Sequence, residues 1–272
     1  MRHRSTVFIV IAMFGCTLLP ALSHAQTPRQ CKRHVEALLD SIDRAACAYR
    51  NSDDEDSAFS RLQDANTALY DYLSSVLPKM PLTMKFHDDR LWIATSADKN
   101  IRTWAWNTYE GGSEPQIYQL VEFQSASGIQ VVNPYQDQDG GNDSWITEIK
   151  MVHTGSGHTY YLAIADWVGD GMHVGEQVDA YEISGTNLNT QVPLFQTAQG
   201  TLSEILYRAE PRSTLRVGNH FKLSPDGRTF FVPLTLFKNE QDKADDRVTM
   251  TRRSLKYEFD GEHFVYRGVT SR

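Results

Sequence analysis

Cysteine is scarce in this chain. Of three cysteines in 272 residues, Cys16 sits in an N-terminal apolar run, leaving only Cys31 and Cys47 beyond it. That excludes a paired-cysteine metal site. Positive charge is also short, with 27 basic against 34 acidic residues. This argues against nucleic acid or an anionic membrane surface as a partner. No apolar run after the first is long enough to span a bilayer. There is no nucleophile elbow, HExxH motif or Walker loop. No fixed period marks internal repeats.

What is present begins with an export address. Arg2 and Arg4 form a basic start, residues 7–22 an apolar stretch, and Ser23-His24-Ala25 a small-x-small cleavage site. The sequence predicts a signal peptide over 1–25 and a soluble mature chain, periplasmic or secreted, starting at Gln26; the alternative is an uncleaved anchor. Losing Arg2 and Arg4 leaves 25 basic against 34 acidic residues, a net charge of −9. Aromatics make up 11% of the chain, which supports a packed core rather than disorder.

Residues 26–82 read as a helical hairpin. Val35, Leu38, Leu39, Ile42, Ala46 and Tyr49 recur at helical spacing, and Phe59, Leu62, Leu69, Leu73 and Val76 repeat the pattern. Between them Ser52-Asp53-Asp54-Glu55 reads as a capping box with Ser52 as the cap, and Pro78 and Pro81 end the second helix. Cys31 and Cys47 fall in the first helix, where a rise of about 1.5 Å per residue sets them roughly 24 Å apart, too far for a bridge. A disulfide would need a break in that helix; otherwise the thiols are free or pair with another chain.

From residue 83 to 268 the period changes to two and turn signals recur. Hairpins are predicted for 90–95 with 101–108, 117–124 with 129–133, 145–153 with 159–167, 221–223 with 229–237, and 251–259 with 263–267. Residues 239–246 read as a solvated loop and 269–272 as a tail. About twelve strands imply a mainly β fold: a large antiparallel domain built as a sandwich, barrel or partial propeller-like meander, too few for a closed propeller.

Four clusters carry candidate chemistry. Arg102, Trp104 and Trp106 share one face of a strand, either as a shelf for a sugar or carboxylate or as a packing ladder. Asp137, Asp139, Asn142, Asp143 and Glu148 approach calcium-loop spacing, although glycine stands at the fifth rather than the sixth place; a solvated acidic loop is the alternative, and no other cofactor is implied. Residues 166–176 bring Asp166, Asp170, His173 and Glu176 to a strand boundary, where His173 could act as a general base oriented by an acid. His153 and His158 flank a turn and could begin a zinc site, although two histidines do not complete one.

The segment Ser96-x-Asp98-x-x-Ile101-Arg102-x-Trp104-x-Trp106-Asn107, followed by Gly111-Gly112, resembles a loose group of uncharacterised secreted bacterial proteins. In that group a short helical segment precedes the pattern S-x-D-x-x-[LI]-R-x-[YW]-x-W-[DN]. The likeness covers about thirty residues and implies a β-rich secreted fold without an assigned activity. This chain carries Asn107 where the group usually has Asp. The residues together favour an exported binding or interaction protein, its partner an envelope protein or small ligand. The alternative is an exported hydrolase acting on a glycan or ester through the loop from Asp166 to Glu176.

Overall fold

The structure, a computed structural model, describes residues 27–111, 115–134, 143–169, 174–209, 221–244 and 248–271. Helix α1 (Pro28–Arg50) starts at a capping box that the sequence pattern did not flag: Thr27 Oγ1 accepts from Gln30 N at 3.3 Å while Gln30 Oε1 accepts from Thr27 N at 2.8 Å. Its buried stripe is Cys31, Val35, Leu39, Ile42 and Ala46. Because α1 is unbroken, Cys31 lies buried and Cys47 exposed, both as free thiols. Helix α2 (Glu55–Val76) buries Leu62, Leu69, Leu73 and Val76. Its cap is Asp54, which accepts from Ser57 N at 3.3 Å, and not Ser52, whose hydroxyl accepts from Asp54 N instead. A carboxylate at the positive end of the helix dipole outweighs the hydroxyl two residues earlier. A single 3-10 turn (Leu77–Lys79) follows, as expected where Pro78 cannot continue the ladder.

Fourteen strands follow among the described residues. β1 (Ile101–Asn107), β2 (Ile117–Ser125) and β3 (Gly128–Val132) form a first antiparallel sheet. The second holds β4 (Ser144–His153), β5 (Thr159–Val168), β6 (Val174–Ser184), β7 (Asn187–Asn189) and β10 (Glu204–Ala209), in the order β10-β6-β5-β4 with β7 also on β6. The third runs β11-β12-β13-β14-β8-β9, from β8 (Phe195–Thr197), β9 (Gly200–Leu202), β11 (Lys222–Leu223), β12 (Thr229–Leu236), β13 (Thr249–Phe259) and β14 (Phe264–Ser271). In this sheet β14 and β8 pair in parallel. The predicted turn at 224–227 closes β11 onto β12, with Gly227 at φ 72°, a conformation glycine takes without steric cost. Pro233 stands where the β12–β13 register shifts, the kind of place where a strand tolerates a missing donor.

Three apolar clusters stack these elements. The first joins both helices to Trp104, Trp106 and Leu120 on one face of the first sheet. Ile101, Val121 and Phe123 on its opposite face meet Ile149, Tyr161 and Ala163 of the second sheet. Leu162, Ile164 and Val178 then meet Phe230, Tyr257 and Phe264 of the third. The fold is thus a helical pair and three sheets in succession, without a closed barrel. β1 and β5 are covered on both faces, so β1 is buried over six consecutive residues.

Several expectations are corrected by this packing. Residues 90–95 form no strand; two isolated bridges, Trp92 to Ala105 and Thr95 to Arg102, replace the expected arm. Residues 240–244 form a short helix, α3 (Glu240–Ala244), inside the expected loop. The expected tail is paired, since β14 continues to Ser271 opposite Arg253. The predicted hairpins leave out 174–209, which holds β6 to β10, although Gln177-Val178-Asp179-Ala180 in β6 alternates polar and apolar residues.

Candidate functional sites

The Ser96 to Asn107 motif is committed to folding. Asp98 accepts from Ser96 Oγ at 2.6 Å, Asn100 N at 3.1 Å and Tyr161 Oη at 2.8 Å, which closes the turn and ties it to β5. These donors hold its carboxyl below the usual range against the opposing effect of burial. Arg102, Trp104 and Trp106 point toward the helices and are 2%, 0% and 1% exposed, which corrects the reading of an open shelf. One oxygen of Glu122, itself 0% exposed, accepts from Arg102 Nε at 2.8 Å, Arg102 Nη2 at 2.7 Å and Trp104 Nε1 at 3.1 Å. Arg102 Nη1 donates to the carbonyls of Leu82 and Met84 at 3.1 and 2.6 Å, pinning the segment between helices and sheets. Trp106 Nε1 donates to Asn66 Oδ1 of α2 at 3.2 Å. Asn107 caps its own turn, accepting from Tyr109 N at 2.8 Å.

Of the acidic loop, Asp137, Asp139 and Asn142 lie outside the described residues. Asp143 accepts from the Trp167 indole, and Glu148 pairs with Lys150 at 2.8 Å, so each of these two carboxylates is engaged elsewhere. The histidines of the β4–β5 hairpin also separate. His153 Nδ1 meets Thr159 Oγ1 at 3.0 Å, while His158 Nδ1 meets Glu182 Oε1 at 2.6 Å. Among the described residues no group of three or more His, Cys, Asp or Glu is placed to hold a metal ion.

His173 and Asp170 lie outside the described residues, but Asp166 and Glu176 are brought together. They are direct cross-strand partners on β5 and β6, 9% and 0% exposed. Glu176 Oε2 accepts from Phe221 N at 3.0 Å, whereas Asp166 Oδ1 has no hydrogen-bond partner among the described residues. Burial, with the Glu176 charge adding to it, pushes the Asp166 carboxyl up to about 7. The pair is set into the sheet, on the face that packs against the third sheet.

A second pair of carboxylates, not foreseen from the sequence, faces the other side of the same sheet. Asp179 on β6 stands opposite Glu204 on β10, and the Gln177 amide nitrogen donates to Asp179 Oδ1 at 2.9 Å and to Glu204 Oε2 at 3.4 Å. Asp179 is 6% exposed, and its carboxyl is pushed up to about 7, chiefly by burial, with Glu204 adding to the rise. Both carboxyls line an open pocket of about 340 Å³. Gln177, Thr190, Gln191 and Ser203 add polar lining, beside Pro134, Tyr181 and Leu202. The one sequence signal was Gln177-x-Asp179, two polar residues on one face of a strand otherwise rich in apolar residues.

No helix among the described residues is long and apolar enough to cross a membrane. No protein-family model matches the chain, and no curated protein matches it. Among solved structures the chain is similar to the periplasmic gluconolactonase PpgL of Pseudomonas aeruginosa, at 11% identity and a TM-score of 0.27. The alignment covers 71% of this chain and 60% of that one, a likeness too slight to transfer either fold or activity.

Proposed function

We propose that the protein is an exported binding protein, working in the periplasm or outside the cell, that holds a hydroxyl-rich ligand such as a saccharide in the Asp179 pocket. The observation that carries this reading is the convergence of Asp179, Glu204 and Gln177 on one open polar cavity. A carboxyl protonated up to about pH 7 both donates and accepts hydrogen bonds, Glu204 accepts, and the Gln177 amide does both. Vicinal hydroxyls need that mixed set. Export rests on the basic start, apolar stretch and Ser23-His24-Ala25 site, and N-terminal sequencing of the processed chain should begin at Gln26. The binding test is a thermal-shift screen of mono- and oligosaccharides with Asp179→Leu and Glu204→Gln as site controls. A ligand-induced rise in Tm that both variants lose supports the reading. A screen without any shift, or a shift that persists in both variants, refutes it.

The raised Asp179 carboxyl beside Glu204 favours one second reading, a hydrolase using them as proton donor and partner carboxylate. Turnover of an aryl glycoside that disappears in Glu204→Gln would establish it. Turnover of a glycoside or ester that instead disappears in His173→Ala would place the chemistry in the loop between Asp166 and Glu176.

A further inference from the structure

We propose a second, independent binding site: the cleft between the start of α1 and the segment at 82–99 takes a monocarboxylate with an apolar tail. The cleft encloses about 630 Å³, within the size range of small-molecule sites. Phe86, Leu91 and Ile93 supply apolar lining, and Lys32, Lys85 and Lys99 supply cations. A chain with 34 acidic and 27 basic residues has gathered cations here against its overall balance.

The acids and the remaining cations around the cleft are occupied. Asp88 takes Arg90 Nε and Nη2, both at 2.9 Å, and the same arginine reaches Asp40 and Asp43 on α1 at 2.7 and 3.0 Å. Arg102, at the base, is committed to Glu122 and to the carbonyls of Leu82 and Met84, which fixes the floor. Lys32 lies 5.9 Å from the centre of the Phe86 ring and 3.7 Å from Glu36, a loose pair. Lys85 and Lys99 are exposed and pair with no carboxylate among the described residues. Apolar lining beside two unpaired ammonium groups is complementary to a tail that buries against Phe86, Leu91 and Ile93 while its carboxylate stays at the wet rim. A divalent cation is repelled by these charges, and a neutral lipid leaves them unused.

The test is calorimetric titration of the full processed chain with decanoate, decanol and acetate, for wild type and Lys85→Glu/Lys99→Glu. Both lysines are exposed, so the variant should keep the wild-type Tm. We expect decanoate to bind the wild type, to weaken about tenfold in the variant and on raising salt, and to be followed only weakly by decanol and acetate. Asp179→Leu should leave decanoate binding unchanged, which separates this site from the saccharide pocket. Failure of decanoate to bind, equal binding of decanol, or undiminished binding in the double variant would each overturn the proposal.

Discussion

Replacing Glu122 by leucine tests the packing logic of the helix-facing layer most directly. Its single oxygen receives three donors from Arg102 and Trp104, and neither Glu122 nor Arg102 reaches solvent. Removing the carboxylate strands a buried guanidinium and an indole N–H. A buried pair broken from one side costs about 3 to 5 kcal/mol. Removing both partners together, Arg102→Met with Glu122→Leu, eliminates the stranded charge but leaves the Leu82 and Met84 carbonyls and the Trp104 N–H without partners. Each such buried group costs about 1 to 3 kcal/mol, partly offset by better-packed apolar volume. The double variant should therefore be destabilised by less than the two single changes added together, with a coupling of at least about 1 kcal/mol. Urea unfolding at constant m measures each corner of the cycle. Glu122 Oε1 has no partner among the described residues, so Glu122→Gln, which keeps an acceptor for the three donors, should fall between wild type and Glu122→Leu. A Glu122→Leu variant unfolding within about 0.5 kcal/mol of wild type, or a cycle without coupling, would show that Arg102 is not held as described.

The aromatic ladder gives a second expectation: Trp104→Ala or Trp106→Ala should each cost about 3 to 5 kcal/mol in the same assay, because both rings are fully enclosed. Cysteine labelling gives a third. Cys47 should react with a thiol reagent in the folded protein, Cys31 only after unfolding, and a reductant should leave Tm unchanged. A fourth follows from Asp166 and Asp179, both raised from 3.8 to about 7. Between those values the folded state keeps protons that the unfolded chain has released, so stability falls as pH rises from about 4 to about 7, by up to about 1.4 kcal/mol per unit for each carboxyl, and levels off above. Asp166→Asn should remove its share of that slope in unfolding measured at pH 5, 6 and 7, and an unchanged slope would deny the coupled pair.

Period and turn chemistry made the helical pair and most hairpins readable, because a helix face and a two-residue alternation are local properties of the chain. Stacking of sheets is not local. Once both faces of β5 are covered, Leu162, Ala163 and Ile164 read as a continuous apolar run, without the alternation that marks a half-exposed strand. The same geometry decides which chemistry can act. Asp166 and Glu176 were readable as an acid cluster, yet their side faces the third sheet, where Phe221 and Phe230 pack. Asp179 is three residues beyond Glu176 on the same strand; odd spacing turns it to the opposite face, where it lines a pocket with Glu204. Arg102 and Trp104 could be read as a shelf or as a ladder because spacing fixes only that they share a face. What settles the matter is Glu122, twenty residues from Arg102 and on the neighbouring strand, and the two helices that close over all three. A carboxylate on an adjacent strand converts a would-be ligand arginine into a structural one, so the register between strands, rather than the composition of either strand, separates binding residues from packing residues in this fold.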